Sequence, residues 1–154
     1  MSVNVRRMAC TPEQVFAVLA DPWVYPTWVV GASRLRAADS RYPAVGSRLH
    51  HSIGVWPLVL NDETRVDEWD PPHRMVLEAK TRPFGTERVI IEVKPRAGGC
   101  VVRIEEHPHT GAITRLPDVV TDTLLHVRNG EALRRLEWVA RWRAASGDAP
   151  RQGG

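Results

Sequence analysis

Two ionisable residues stand where an alternating pattern otherwise places apolar side chains, and they pose the first chemical question of this chain. In residues 47–55, Leu49, His51, Ile53 and Val55 share one face of an extended segment, while Arg48, His50 and Ser52 share the other. In residues 100–107 the same parity groups Glu106 with Val102 and Ile104. Taking a charge out of water costs several kcal/mol unless a partner or a shifted pKa compensates. His51 and Glu106 are therefore candidate polar anchors, or an acid/base pair acting on a ligand carbonyl or hydroxyl, with Tyr25 donating a hydrogen bond. The structural alternative is a neutral, hydrogen-bonded His51 and a Glu106 that reaches water at its strand end before Pro108.

A second signal is aromatic. Trp23, Tyr25 and Trp28 crowd the stretch from Ala20 to Trp28, and large rings with polar tips suit the wall or mouth of an apolar cavity. Strand parity adds Leu77 and Thr81 from residues 73–81, and Val89 and Ile91 from residues 87–94, to the inner face. Nucleophilic chemistry finds no glycine-flanked serine elbow, and no phosphate-cradling or dinucleotide glycine loop is present. Cys10 and Cys100 are far apart in sequence and are expected to be small buried thiols. His107 and His109 have same-face spacing but no third ligand nearby in sequence. Any reaction is thus expected to be acid–base work with no cofactor and no metal.

The elements that must position these residues are legible from caps, breakers and periodicity. Residues 3–9 read as a strand. Thr11-Pro12-Glu13-Gln14 is a capping box with proline at the first helical position, opening a helix that ends near Ala20. Asp21-Pro22 repeats the signal for a second short helix. From Ser33 to His107 the period falls to two, giving six antiparallel strands near 33–39, 47–55, 58–68, 73–81, 87–94 and 100–107. A helix follows from about Asp118 to Ala144. Its first half carries Val120, Leu124 and Val127 on one face, and its second half Ala132, Leu133, Leu136 and Val139 nearly opposite. That pattern allows a kink at Gly130, two halves that bury different faces with the first looking into a cavity, or one broad apolar surface. Trp138 and Trp142, one turn apart, form either a partner-binding stripe or, as expected here, packing on the core or its boundary.

At 154 residues the chain has the length of one domain, read here as 1–145 with a polar tail over 146–154. A hydrophobic share of 43% and a charged share of 25% fit a globular protein. The net charge of +3 comes from scattered arginines with no stripe to follow phosphates, which excludes nucleic acid as the expected partner. No segment has the length of a membrane span, so no stable membrane insertion is expected. The N-terminus lacks a signal-peptide core, and the expected location is cytoplasmic. The pattern leaves the oligomeric state open.

Taken in order, Val15–Pro22, Tyr25 and Trp28, Val45-Gly46-Ser47, Glu68–Pro72 leading into Arg74–Leu77, and Gly98-Gly99 carry a resemblance over residues 3 to 143. The chain resembles the SRPBCC superfamily, the helix-grip fold of START-like lipid-transfer domains, polyketide cyclase/dehydrases and the major birch pollen allergen. The resemblance implies an α+β fold in which a curved, seven-stranded antiparallel sheet wraps a long C-terminal helix, with two short helices after the first strand. It also implies an elongated cavity between sheet and helix, lined by the inward residues named above and by Val120, Leu124 and Val127. Trp23 and Phe84 are candidate lids over it. The expected function is binding or carriage of a small hydrophobic molecule, such as a lipid, polyketide or aromatic metabolite. A cofactor-free cyclase, aromatase or dehydratase is the enzymatic alternative. An interaction module of the chaperone-activator or toxin–antitoxin type, marked by an exposed apolar patch, is the third.

Overall fold

The helix start at Thr11 is made as its residues dictate. In this computed structural model, which describes residues 1–81, 85–110 and 118–147 without the side chains of Thr81, Asp118, Val120 and Thr121, α1 spans Pro12–Leu19. The Gln14 amide donates to Thr11 Oγ1 at 3.2 Å, and the Thr11 amide donates to Gln14 Oε1 at 2.9 Å. Such a cap stabilises a helix by about 1 kcal/mol. Asp21 opens the next segment, a single 3-10 turn (Pro22–Val24) followed by α2 (Tyr25–Trp28). One Asp21 oxygen accepts from the Trp23 amide at 2.9 Å, and the other accepts from Arg143 Nη2 at 2.6 Å. The aromatic segment is thereby fastened to the end of the last helix.

The strands are β1 (Ser2–Met8), β2 (Ala32–Ala38), β3 (Arg48–Val55), β4 (Leu58–Asp70), β5 (Arg74–Thr81), β6 (Gly85–Arg96) and β7 (Gly99–Thr110). They form one antiparallel sheet in the order β1-β7-β6-β5-β4-β3-β2. The six-strand meander is thus closed on one side by the N-terminal strand. Bulges interrupt the β2/β3, β4/β5 and β5-side β6/β7 registers, between Val66 and Glu68 and between Thr86 and Glu87 among others. Each bulge bends its strand and increases twist, which curves the sheet around what it encloses. Gly54 (φ +109°) closes the β3–β4 hairpin, and a Cβ there would collide with the Leu58 carbonyl oxygen. Beyond that glycine the hairpin projects as an exposed tip.

The long helix, α3 (Asp118–Ser146), lies in the curve of the sheet. Its buried residues are Leu125, Asn129, Ala132, Leu133, Leu136, Val139 and Ala140. Their spacing follows one continuous helical face. This corrects the expectation built on Leu124 and Val127, which are 63% and 68% exposed. The inward face of the first half carries polar residues, so apolar periodicity selected the outer one. Trp138 and Trp142 also differ from expectation: both are exposed, stacked at 6.5 Å with an interplanar angle of 10°. The second half of α3 packs with α1 against Met75, Ile91, Val93 and Val102 to form the core. Toward the other end, the sheet and helix leave space between them.

Candidate ligand cavity

The space is a cavity of about 240 Å³. Tyr25 and Trp28 come from α2, Val29, Val30 and Gly31 from the loop into β2, Ala32 from the start of β2, and His51 and Ile53 from β3. Thr64, Leu77, Ala79, Val89 and Ile104 line the sheet side, and Ala132 the helix side. Polar groups occupy two places in this apolar wall.

The first is a ring cluster. His51 is 2% exposed and its Nε2 is 2.9 Å from Thr64 Oγ1; the Tyr25 hydroxyl shares the same oxygen at 3.3 Å. The Tyr25 ring stacks on His51 at 5.3 Å and meets Trp28 edge-on at 5.6 Å. Burial, reinforced by the charges of Arg36 and His50, lowers the His51 pKa to about 4. Burial likewise pushes the Tyr25 hydroxyl up to about 12, outweighing its hydrogen bond to Thr64. Both rings are neutral at physiological pH.

The second place is ionic. On β6 and β7, Glu87 and Glu106 point inward and are 9% and 4% exposed. Arg128 of α3 reaches down between them. Its Nη2 donates to both Glu106 oxygens at 2.6 and 2.7 Å, and lies 3.4 and 3.5 Å from those of Glu87. Two buried carboxylates thus share one guanidinium. Burial raises the Glu87 pKa, Glu106 adds to the shift and Arg128 opposes it. On Arg128 burial acts to lower the pKa, but the two carboxylates overcome it and the net shift is upward.

Two buried polar atoms on cavity-lining residues have no hydrogen-bond partner among the described residues: His51 Nδ1 and Asn129 Nδ2. Unsatisfied buried groups of this kind are rare, because each retains a desolvation cost of roughly 1–3 kcal/mol.

The placements of the remaining expected residues divide cleanly. His51, Glu106, Tyr25, Trp28, Ile53, Leu77, Val89 and Ile104 line the cavity. Leu49, Ile91 and Val102 have the inward parity but are packed core, with no exposure, and do not line the cavity. Val55 is 82% exposed because the hairpin tip extends past anything that could cover it. Trp23 is 62% exposed, turned to solvent by the 3-10 turn. Leu124 and Val127 face outward, as described. Phe84 and the side chains of Thr81 and Val120 lie outside the described residues. Sequence reasoning missed Thr64, Glu87, Arg128 and Asn129. Glu87 was within reach, since it shares the parity of Val89. Arg128 and Asn129 broke the apolar period that was used to orient the helix.

The His51 shift gives a testable pH dependence. Between about pH 6.5 and 4 the unfolded chain binds a proton at this position that the native protein does not, so stability falls as pH falls through that window. His51→Gln is expected to flatten this limb of urea unfolding measured across it. Ring proton resonances of His51 that titrate near pH 6.5 would contradict the assigned burial.

Comparison with known proteins follows this geometry. A family model described as polyketide cyclase / dehydrase and lipid transport matches residues 2–141. Uncharacterized proteins of Mycobacterium tuberculosis and Mycobacterium bovis are 31% identical over 101 residues, 63% of this chain. The match covers 58% of those relatives, so the chain spans less than two thirds of their length. Among solved structures, a protein of Nitrosomonas europaea aligns with a TM-score of 0.73 at 17% identity, covering 93% of this chain and 95% of that one. The di-domain ARO/CYC StfQ of the steffimycin biosynthetic pathway aligns at 0.70 and 15% identity, covering 93% of this chain and 51% of StfQ. Ara h 8.0201 aligns at 0.68 and 12%, covering 90% and 95%. At these identities the likeness is one of fold.

Proposed function

The chain belongs to the polyketide cyclase/dehydrase and lipid transport family, and on that premise we propose that its cavity binds a compact apolar molecule carrying an oxygen acceptor. The observation that carries this reading is the pair of orphaned polar atoms, Asn129 Nδ2 and His51 Nδ1, on residues that line the cavity, whereas Thr64, Glu87, Glu106 and Arg128 are hydrogen-bonded among the lining residues. Asn129 Nδ2 is a donor, and a ligand carbonyl or hydroxyl oxygen would satisfy it. Volume limits the size of the ligand. At about 240 Å³ the cavity lies below the roughly 300–1,000 Å³ usual for ligand pockets, which favours a one- or two-ring molecule over a long acyl chain.

A second reading, cofactor-free acid–base chemistry on a carbonyl substrate, is favoured by one observation. Glu87 keeps its proton to higher pH than an exposed carboxyl and lines the cavity. In that reading Glu87 is the acid. Glu106 has both oxygens engaged by Arg128, and His51 with a pKa of about 4 is a weak base at neutral pH.

Prodan, a neutral naphthyl ketone whose emission reports its surroundings, tests the binding reading against dimethylaminonaphthalene, the same ring system without the carbonyl. The ketone is expected to bind more tightly to the native protein. Asn129→Leu should weaken ketone binding by about tenfold, the worth of one buried hydrogen bond, and leave binding of the carbonyl-free amine unchanged. Equal affinities for the two, or no saturable binding of either, would sink the proposal.

A further inference from the structure

We propose that the β3–β4 hairpin tip is an anchor for a lipid surface bearing anionic headgroups, and that it sets the cavity mouth against that surface. The six consecutive residues Val55-Trp56-Pro57-Leu58-Val59-Leu60 contain no charged side chain and no polar one beyond the indole N–H. Val55, Trp56 and Leu58 are 82%, 85% and 83% exposed, more than either tryptophan on α3. Apolar side chains this exposed and this contiguous are uncommon without an interaction to cover them.

Shape decides which covering fits. β2 pairs with β3 only as far as Ile53, and β5 pairs with β4 only from Thr64, so residues 55–61 form a two-stranded ribbon that no other strand joins among the described residues. The tip is convex and apolar in several directions at once. A fluid lipid interface can close around such a point, whereas a protein partner would need a socket to match it. The free outer edges also set the depth. Unpaired N–H and C=O groups are not tolerated in hydrocarbon, so the tip enters the headgroup and upper acyl region and goes no further. An indole at the end of the hairpin suits that zone.

Charge points the same way. Behind the tip, on the neighbouring edge strand, Arg34 is exposed and makes no ion pair among the described residues, and Arg36 follows two positions on. Of the acidic residues nearby, Asp62 is buried and Glu63 is engaged by Lys80 and Arg48. The exposed charge beside the tip is therefore cationic. The ribbon begins at the cavity mouth. Ile53 lines the cavity, and the Gly54 amide donates to the Gly31 carbonyl at 3.0 Å in the loop that forms the rim. A hairpin seated in lipid would present that rim to the phase in which an apolar ligand dissolves.

Flotation with vesicles tests this apart from the cavity reading, since prodan binding is measured without lipid. The protein is expected to float with vesicles of phosphatidylcholine mixed equally with phosphatidylglycerol, and more weakly with phosphatidylcholine alone. The double variant Trp56→Ser, Leu58→Ser should lose roughly tenfold or more in partitioning, with unfolding midpoint and prodan affinity unchanged. Failure of the native protein to float with the mixed vesicles would overturn the proposal. So would equal flotation of the double variant. Concentration-dependent dimerisation that the same variant abolishes, in a protein that ignores vesicles, would assign the hairpin to a second copy of this chain instead.

Discussion

Arg128→Met is expected to lower stability by about 3 kcal/mol at neutral pH, because it removes the cation that two buried carboxylates share. The methionine keeps most of the arginine stem, so the loss reports charge more than packing. About 3 is the lower end of the range for breaking buried pairs, chosen because the Arg128 side chain is one third exposed. The pH dependence gives the loss a signature. Burial raises the Glu87 pKa and Arg128 opposes it, so without the guanidinium its folded value lies further above that of the unfolded chain. Between the two the native state binds more protons than the unfolded state, so stability falls as pH rises. The deficit should therefore be smallest near about pH 4 and widen toward about pH 7 in chemical unfolding. Glu87→Gln in the native background should cost under about 1 kcal/mol, since its contacts to Arg128 are long and one carboxylate still balances the arginine. A deficit for Arg128→Met that does not change with pH would mean that the residue serves by packing alone.

Filling the cavity is expected to abolish binding while sparing the fold. Ala79 lines the cavity, and Ala79→Trp should remove saturable prodan binding with stability within about 1 kcal/mol of the native protein. Ile91, two positions from a cavity residue and on the same strand face, has no exposure and belongs to the packed core. Ile91→Trp should cost roughly 1–3 kcal/mol or more, as overpacking does. The contrast matters more than either value. Equal destabilisation by both variants would show that the space near Ala79 is not available to a ligand.

The fold was legible because each element carries its own local signal. Thr11, Pro12 and Gln14 specify a helix start irrespective of tertiary context, and breakers such as Gly46 and Gly98 bound strands whose alternation is regular. Strand parity also placed His51 and Glu106 in the interior, where the burial of both is observed. What parity cannot carry is position along the face. Leu49 and Ile53 are equivalent by alternation, yet one meets the packed core and the other the cavity. The helix was misread for a related reason. Its inward face at Arg128 and Asn129 is polar because it answers two carboxylates on β6 and β7, a pairing between residues 22 and 41 positions apart. Periodicity reads one element at a time, and this site is made by three. The exposed faces at Leu124, Val127 and Trp138 compounded the error by being apolar themselves.

The central claim is that a ligand enters the space between sheet and helix, and amide chemical-shift mapping during a prodan titration tests it most directly. The account predicts saturable shifts centred on His51, Ala79, Ile104, Asn129 and Ala132, residues that meet only around the cavity. Shifts confined to Val55–Leu60, or to Trp138 and Trp142 on the outer face of α3, with the lining residues unmoved, would show that apolar molecules bind this protein on its surface and would contradict the account.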